Sequence, residues 1–292
     1  MREFILQFLA SSLTEGSIYG LMALGLVITL RSTEVLFFGQ GTMAMVGGVV
    51  MYALFSSHGV PLIISIPCAL MICIIISLLS LRIIVLPLLA RGAPSMNVSM
   101  VTIGVSMIFE MIAMITFGKD PLAVPSFSGD NPVTILGASF VPQHFWILGF
   151  TALALVATII FFKGTIMGKA MTGLGDNALL AKASGFPVSR LFMISFIFAA
   201  VVGGIAGIVS APTSYTGYSV GLPMTLKGFI AASVGGITNP VGALLGGLII
   251  GFFESFTAGF ISSRLKDLIT FVLLLVVLRV RPQGLLGSGG GH

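Results

Sequence analysis

KGTIMGKAMTGLGDNALLAKASGFPVSR, residues 163–190, lies between two long apolar runs and carries Lys163, Lys169, Lys182 and Arg190. Its middle, DNALLAKASG, reads as a short helix closed by Gly185 and then Pro187. The flanking runs, 143–162 and 191–212, are long enough to span a bilayer. A polar, positively charged, structured loop between two membrane spans reads as a docking surface for a cytoplasmic component.

Composition supports that setting. The chain is 57% hydrophobic and 8% charged, with a mean hydropathy of +1.14, whereas soluble domains are about a quarter charged. The 37 glycines suit membrane helices, where small residues let backbones approach. The formal charge of +5 is no nucleic-acid signature, because the cations gather at the ends of apolar runs. Cys68 and Cys73 share one apolar run and read as packing residues, with no further ligands nearby to make a metal site.

Working outward, candidate spans fall at 5–30, 35–57, 60–81, 95–117, 143–162, 191–212, 226–238, 240–261 and 267–280. Residues 1–31 read as the first of these rather than a cleaved signal peptide, since the apolar run outlasts a normal signal core. The span 226–238 is too short to cross ~30 Å as a straight helix, so it reads as re-entrant or broken. The expected fold is all-α: a polytopic transmembrane helical bundle of about eight or nine membrane segments, with interrupted Gly-rich helices. It forms one domain over 1–287, and 288–292 read as a flexible tail. Arg82 and Arg91, the loop 163–190, and Arg279 and Arg281 can all be cytoplasmic together, which puts the C-terminus inside. Loop 118–142, rich in Pro, Gly and Ser, then forms an outward cap.

Two Gly-rich segments stand apart: FFGQGTMAMVGG (37–48) and KGFIAASVGGITNPVGALLGG (227–247). An interrupted helix frees backbone N–H and C=O groups. These are tolerated at membrane depth only where protein or a water-filled path satisfies them, so such breaks point to a translocation site. Tight packing is the competing reading, because Gly16/Gly20, Gly203/Gly207, Gly242/Gly246 and Gly247/Gly251 all have GxxxG spacing. Charges at depth also need a reason. Glu15 and Glu34 read as interfacial. Glu110 and Glu254 sit well inside spans and either pair with neighbouring helices or line a path; Lys227 opens the short interrupted span.

Several chemistries are excluded. GTIMGKA (164–170) fails as a phosphate loop: three residues separate Gly164 from Gly168 where four are needed, and Ala170 stands where Ser or Thr must hold magnesium. No HExxH, GxSxG or paired-cysteine motif is present, and no catalytic residues or metal ligands are assigned.

With these pieces in place, the chain resembles the membrane subunit of bacterial ATP-binding cassette importers for branched-chain amino acids and related small solutes. The resemblance rests on GSIYGLMALGL (16–26), MVTIGVS (100–106), MGKAMTGLGDNALLAKASGF (167–186), KGFIAASVGGITNPVGALLGGLIIGFFES (227–255) and RPQGLLG (281–287), in that order. It implies that 167–186 holds a coupling helix seated in a separate ATPase, with Asp176, Asn177, Ala181 and Gly185 at the positions of the recurring acidic, alanine and glycine pattern. It also implies two ATPase subunits that bind the ATP and magnesium, a second homologous permease subunit, a periplasmic substrate-binding protein, and a bacterial inner membrane around the chain. No cofactor is expected on this chain itself. Where the family commonly carries Asn-Phe-Ala-His-Gly-Glu, this chain has Phe37-Phe38-Gly39-Gln40-Gly41-Thr42. A path lined by that segment is more apolar and less charged, and an amide, a urea-like solute or an aromatic acid fits it as well as an amino acid. The expected path residues are Phe37, Phe38, Gln40, Thr42, Glu110 and Lys227. The expected function is therefore the permease subunit of an importer, not an enzyme. The alternatives are a stand-alone secondary transporter or channel, and, less well supported, an intramembrane enzyme.

Overall fold

The computed structural model describes residues 2–129, 131–135, 138–176 and 188–287. The described chain is a bundle of long helices. α1 is Arg2–Thr33, α2 Gln40–Met51, α3 Leu62–Ser80, α4 Leu86–Ala90 and α5 Ser95–Phe117. After the connection that follows α5 come α6, Gln143–Gly164, α7, Ile166–Asp176, α8, Val188–Ser214, α9, Gly221–Gly235, α10, Pro240–Phe260, and α11, Lys266–Val280.

Six helical stretches among the described residues are long and apolar enough to cross a membrane: Ile5–Thr33, Leu62–Ala90, Ser95–Phe117, Gln143–Gly164, Val188–Ser214 and Pro240–Phe260. The other three expected segments are present but shorter. α2 runs on through a π-helical stretch, Tyr52–Ser57, and α9 and α11 have 15 residues each. Another π-helical stretch, Leu81–Val85, joins α3 to α4. Pro87 follows it and cannot donate a hydrogen bond to the preceding turn, so the widened turn accommodates the ring without ending the helix.

α1 is the central post. Its stretch Ile18–Ile28 is almost wholly buried, enclosed by α10, α8, α9 and α6. α1 and α10 cross at their glycines: a Cβ added at Gly247 would enter the backbone of Gly20, and one at Gly251 that of Gly16. The GxxxG pairs on these two helices are thus packing devices that admit near-backbone contact. The periphery is inverted relative to a soluble protein. Ile63 on α3, Ile115 on α5 and Leu275 on α11 are among the most exposed side chains, as a surface solvated by lipid requires.

At one end, Arg31, Lys163, Lys169 and Asn239 line one crevice together with Leu286. The C-terminal segment RPQGLLG turns back onto this end, where the N–H groups of Leu285 and Leu286 bond the carbonyls of Val234 and Gly235. Gly284 (φ 78°) and Gly236 (φ 119°) make that turn possible, since both adopt left-handed backbone and their backbones touch. The described residues of loop 118–142 lie at the other end. Leu122 bridges Thr216, Ser56 donates to the Ala123 carbonyl, and an antiparallel hairpin pairs β1 (Val133–Ile135) with β2 (Ala138–Phe140).

Candidate functional site

Between α1 and α2 the chain leaves the helix. Glu34 ends α1 in left-handed backbone, at φ 57°, and helix resumes only at Gln40. This break sits inside the bundle, so its backbone groups need partners. Two other helices supply them through hydroxyls. Ser99 on α5 accepts from the N–H of Leu36 at 3.1 Å, and Thr102 from that of Phe38 at 3.2 Å. Thr225 on α9 accepts from Gly41 N–H at 2.9 Å, and its hydroxyl lies 3.2 Å from the Phe38 carbonyl.

The first Gly-rich segment therefore meets the N-terminal part of α9, just ahead of the second. Gly41 packs so closely on Gly221 and Thr225 that a Cβ there would enter α9. The N-terminal end of α9 is held from a second side, where the Glu110 carboxylate accepts from Leu222 N–H at 3.2 Å. A carboxylate there also complements the positive end of the helix dipole.

The expected path residues divide into two groups. Phe37, Gln40 and Thr42 point inward and are buried. Phe37 packs against Phe196 with the rings tilted and their centroids 4.7 Å apart. Gln40 fills a notch beside Gly25 and Gly203 and donates to the Ala199 carbonyl at 3.0 Å. Thr42 borders a small cavity shared with Ser80, Thr102 and Ser106. Phe38, Glu110 and Lys227 remain partly exposed. Phe38 lies 6.2 Å from Phe229, Glu110 meets Leu222, and Lys227 is on α9 itself, so α9 is the element common to all three.

Lys227 anchors a charged cluster across four helices. Its ammonium lies 2.9 Å from one oxygen of Glu254 on α10, 3.0 Å from the other, and 3.2 Å from Asp267 on α11. Tyr19 on α1 donates to Glu254 at 2.7 Å, and Thr270 on α11 donates to it at 2.8 Å. Lys227 also sits over the Tyr19 ring at 5.0 Å. Glu254 is fully buried while Asp267 is largely exposed. Glu254 is thus an inter-helix tie. A cavity of about 180 Å³ opens beside Lys227 and Asp267, between α9 and α11.

The sequence reading missed Ser99, Thr102 and Thr225 as partners of the broken backbone. It also missed Tyr19, Thr270 and Asp267 as partners of the buried charges. Part of this was visible: Ser95, Ser99, Thr102 and Ser106 follow one another at helical spacing on an otherwise apolar helix. Of the residues expected to couple to an ATPase, Asp176 ends α7; Asn177, Ala181 and Gly185 lie outside the described residues.

Comparison with known proteins agrees with this architecture. The family described as "Branched-chain amino acid transport system / permease component" matches residues 8–278. The chain is 28% identical to the high-affinity branched-chain amino acid transport permease LivH of Salmonella typhimurium, over 97% of this chain and 96% of that one. It is 31% identical to LivH of Escherichia coli K12, over 63% and 62% of the two chains. Among solved structures, PsaBC of Streptococcus pneumoniae in complex with Fab superposes with a TM-score of 0.53 at 16% identity, over 97% of this chain and 96% of that one. This last likeness is one of fold.

Proposed function

The chain belongs to the branched-chain amino acid transport system permease family, and from that premise we propose that it moves a small polar solute, a branched-chain amino acid first among the candidates, along the partly exposed face of α9. It is a multi-pass membrane protein, the permease subunit of an ATP-binding cassette importer, and a membrane subunit rather than an enzyme. ATP and magnesium bind partner ATPase subunits, two to an assembly. A second, homologous permease completes the path, and a periplasmic binding protein delivers the solute. The end carrying Arg31, Lys163, Lys169 and the C-terminus faces the cytoplasm of a bacterial inner membrane, in keeping with the placement of basic residues.

The observation that carries the mechanism is the junction of the α1–α2 break with the N-terminal end of α9. Gly41 packs on the backbone of Gly221 there, and its N–H donates to the Thr225 hydroxyl. A shift of α9 transmits directly to Phe38 and to the start of α2. Motion enters through the segment that begins at Asp176 and includes Asn177, Ala181 and Gly185, where the ATPase docks. Phe38 and Glu110 border the path against α9, the helix that carries Lys227. Phe37, Gln40 and Thr42 lie behind it and hold the break in shape. The names of the relatives support an amino acid cargo; the apolar Phe37–Thr42 segment leaves a related amide, a urea-like solute or an aromatic acid open.

The test is a pull-down from native membranes with mass spectrometry of the co-purifying chains. An ATPase and a second similar permease are expected, and the binding protein found with them identifies the cargo by ligand screening. Recovery of this chain alone, active in liposomes without ATP, would overturn the assignment in favour of a self-sufficient transporter.

A further inference from the structure

One feature of the basic end has no part in the α9 mechanism. A crevice of about 980 Å³ opens between the C-terminal ends of α1 and α6, the start of α7, and the turn from α9 into α10. Its described lining includes the cations Arg31, Lys163 and Lys169. Lys163 and Lys169 are exposed, while Arg31 is steered over the ring of Phe162 at 5.5 Å. The crevice also faces the start of α10, where Asn239 caps the N–H groups of Val241 and Gly242, so the positive end of that helix dipole adds to the field.

The other wall is apolar. Ile159, Phe162 and Val241 line the crevice. From there the exposed faces of α6 (Leu153, Val156, Ile160) and α10 (Leu245, Phe252) continue away from the basic end. A cationic recess that adjoins exposed apolar faces of two membrane helices matches a molecule with a phosphate at one end and acyl chains at the other. A soluble anion would use only the first half, and a protein surface would not follow the second.

We propose that the crevice bordered by Lys163 and Lys169 is a binding site for an anionic phospholipid, with the headgroup phosphate at these two exposed ammonium groups and the acyl chains along α6 and α10. Basic pockets between transmembrane helices at a membrane–water boundary hold lipid headgroups by this chemistry. The site requires only that the bundle spans the membrane, so it stands whether or not the cargo assignment does. Each lysine near the headgroup contributes about five-fold in affinity, so losing both weakens binding about thirty-fold.

The experiment titrates the delipidated full-length chain in detergent with phosphatidylglycerol or phosphatidylcholine and counts bound lipids by native mass spectrometry. Phosphatidylglycerol is expected to bind at least about ten-fold more tightly than phosphatidylcholine. The double variant Lys163→Gln/Lys169→Gln should lose that preference, and Lys163→Arg/Lys169→Arg should keep it. Arg82→Gln/Arg91→Gln, which removes two charges from elsewhere in the chain, should also keep it. The proposal is overturned if phosphatidylcholine binds equally, if the Arg82/Arg91 variant loses the preference as fully as the Lys163/Lys169 variant, or if millimolar inorganic phosphate displaces the lipid.

Discussion

Replacing Lys227 by Met keeps the bulk of the side chain and removes its charge. Glu254, fully buried, then loses an ammonium within 3.0 Å of both its oxygens. Tyr19 and Thr270 still donate to it, but neutral donors do not balance a charge in a low-dielectric interior. Breaking a buried ion pair from one side costs about 3–5 kcal/mol, because the partner is left uncompensated. Asp267 adds little to this figure, since its carboxylate is mostly exposed and screened. For a chain of 292 residues the loss corresponds to a fall of at least about 5 °C in the unfolding midpoint. The single tryptophan, Trp146, reports unfolding by its fluorescence in detergent. The decisive arm is Lys227→Met combined with Glu254→Gln, which removes the stranded charge, keeps an acceptor oxygen for one of Tyr19 and Thr270, and turns an amide NH2 toward the hydroxyl oxygen of the other. It should recover at least half of the lost stability. A single variant within about 1 kcal/mol of the parent, or a double variant no better than the single, would refute the reasoning that Glu254 is held as a buried, charged tie.

Other perturbations bear on separate parts of the account. Thr225→Val strips the acceptor from Gly41 N–H at the helix break and should cost about 1–3 kcal/mol, whereas Thr225→Ser should be close to neutral; thermal midpoints decide it. Gly251→Leu drives a side chain into the backbone of Gly16 and should abolish folded, monodisperse protein. Gly104→Ala, with open space around it, should elute from size exclusion like the parent. Asp176→Arg and Gly185→Trp should leave the permease folded but reduce stimulation of the partner ATPase and uptake together; unchanged ATPase stimulation would remove this segment from the coupling role.

Much of the fold was legible because lipid imposes long apolar runs with charges at their ends. The runs 95–117 and 240–261 correspond to α5 and α10 almost residue for residue. The interruption near 226–238 was legible from length alone. The start of α2 was not: the apolar run from 35 gave no sign that helix resumes only at Gln40, because the break is satisfied by hydroxyls far away in sequence. The site was legible as a set of residue types and less so as geometry. Gln40 reads as a polar residue beside two glycines, Gly39 and Gly41. Its burial depends on Gly25 and Gly203, one on α1 and the other on α8, which no local pattern places beside it. Glu254 was visible as a costly charge, but its partner Lys227 lies 27 residues away on another helix. Pairing of this kind comes from the α9–α10 packing and not from sequence spacing.

The central claim is that this chain is the permease of an ATP-driven importer, and uptake in liposomes tests it most directly. The chain is reconstituted with its co-purifying subunits and binding protein, and accumulation of labelled leucine, or of the ligand found on the binding protein, is followed with ATP enclosed or omitted. The account predicts accumulation against a gradient only with ATP and only with the ATPase present. Equal uptake by this chain alone, without ATP, would contradict it.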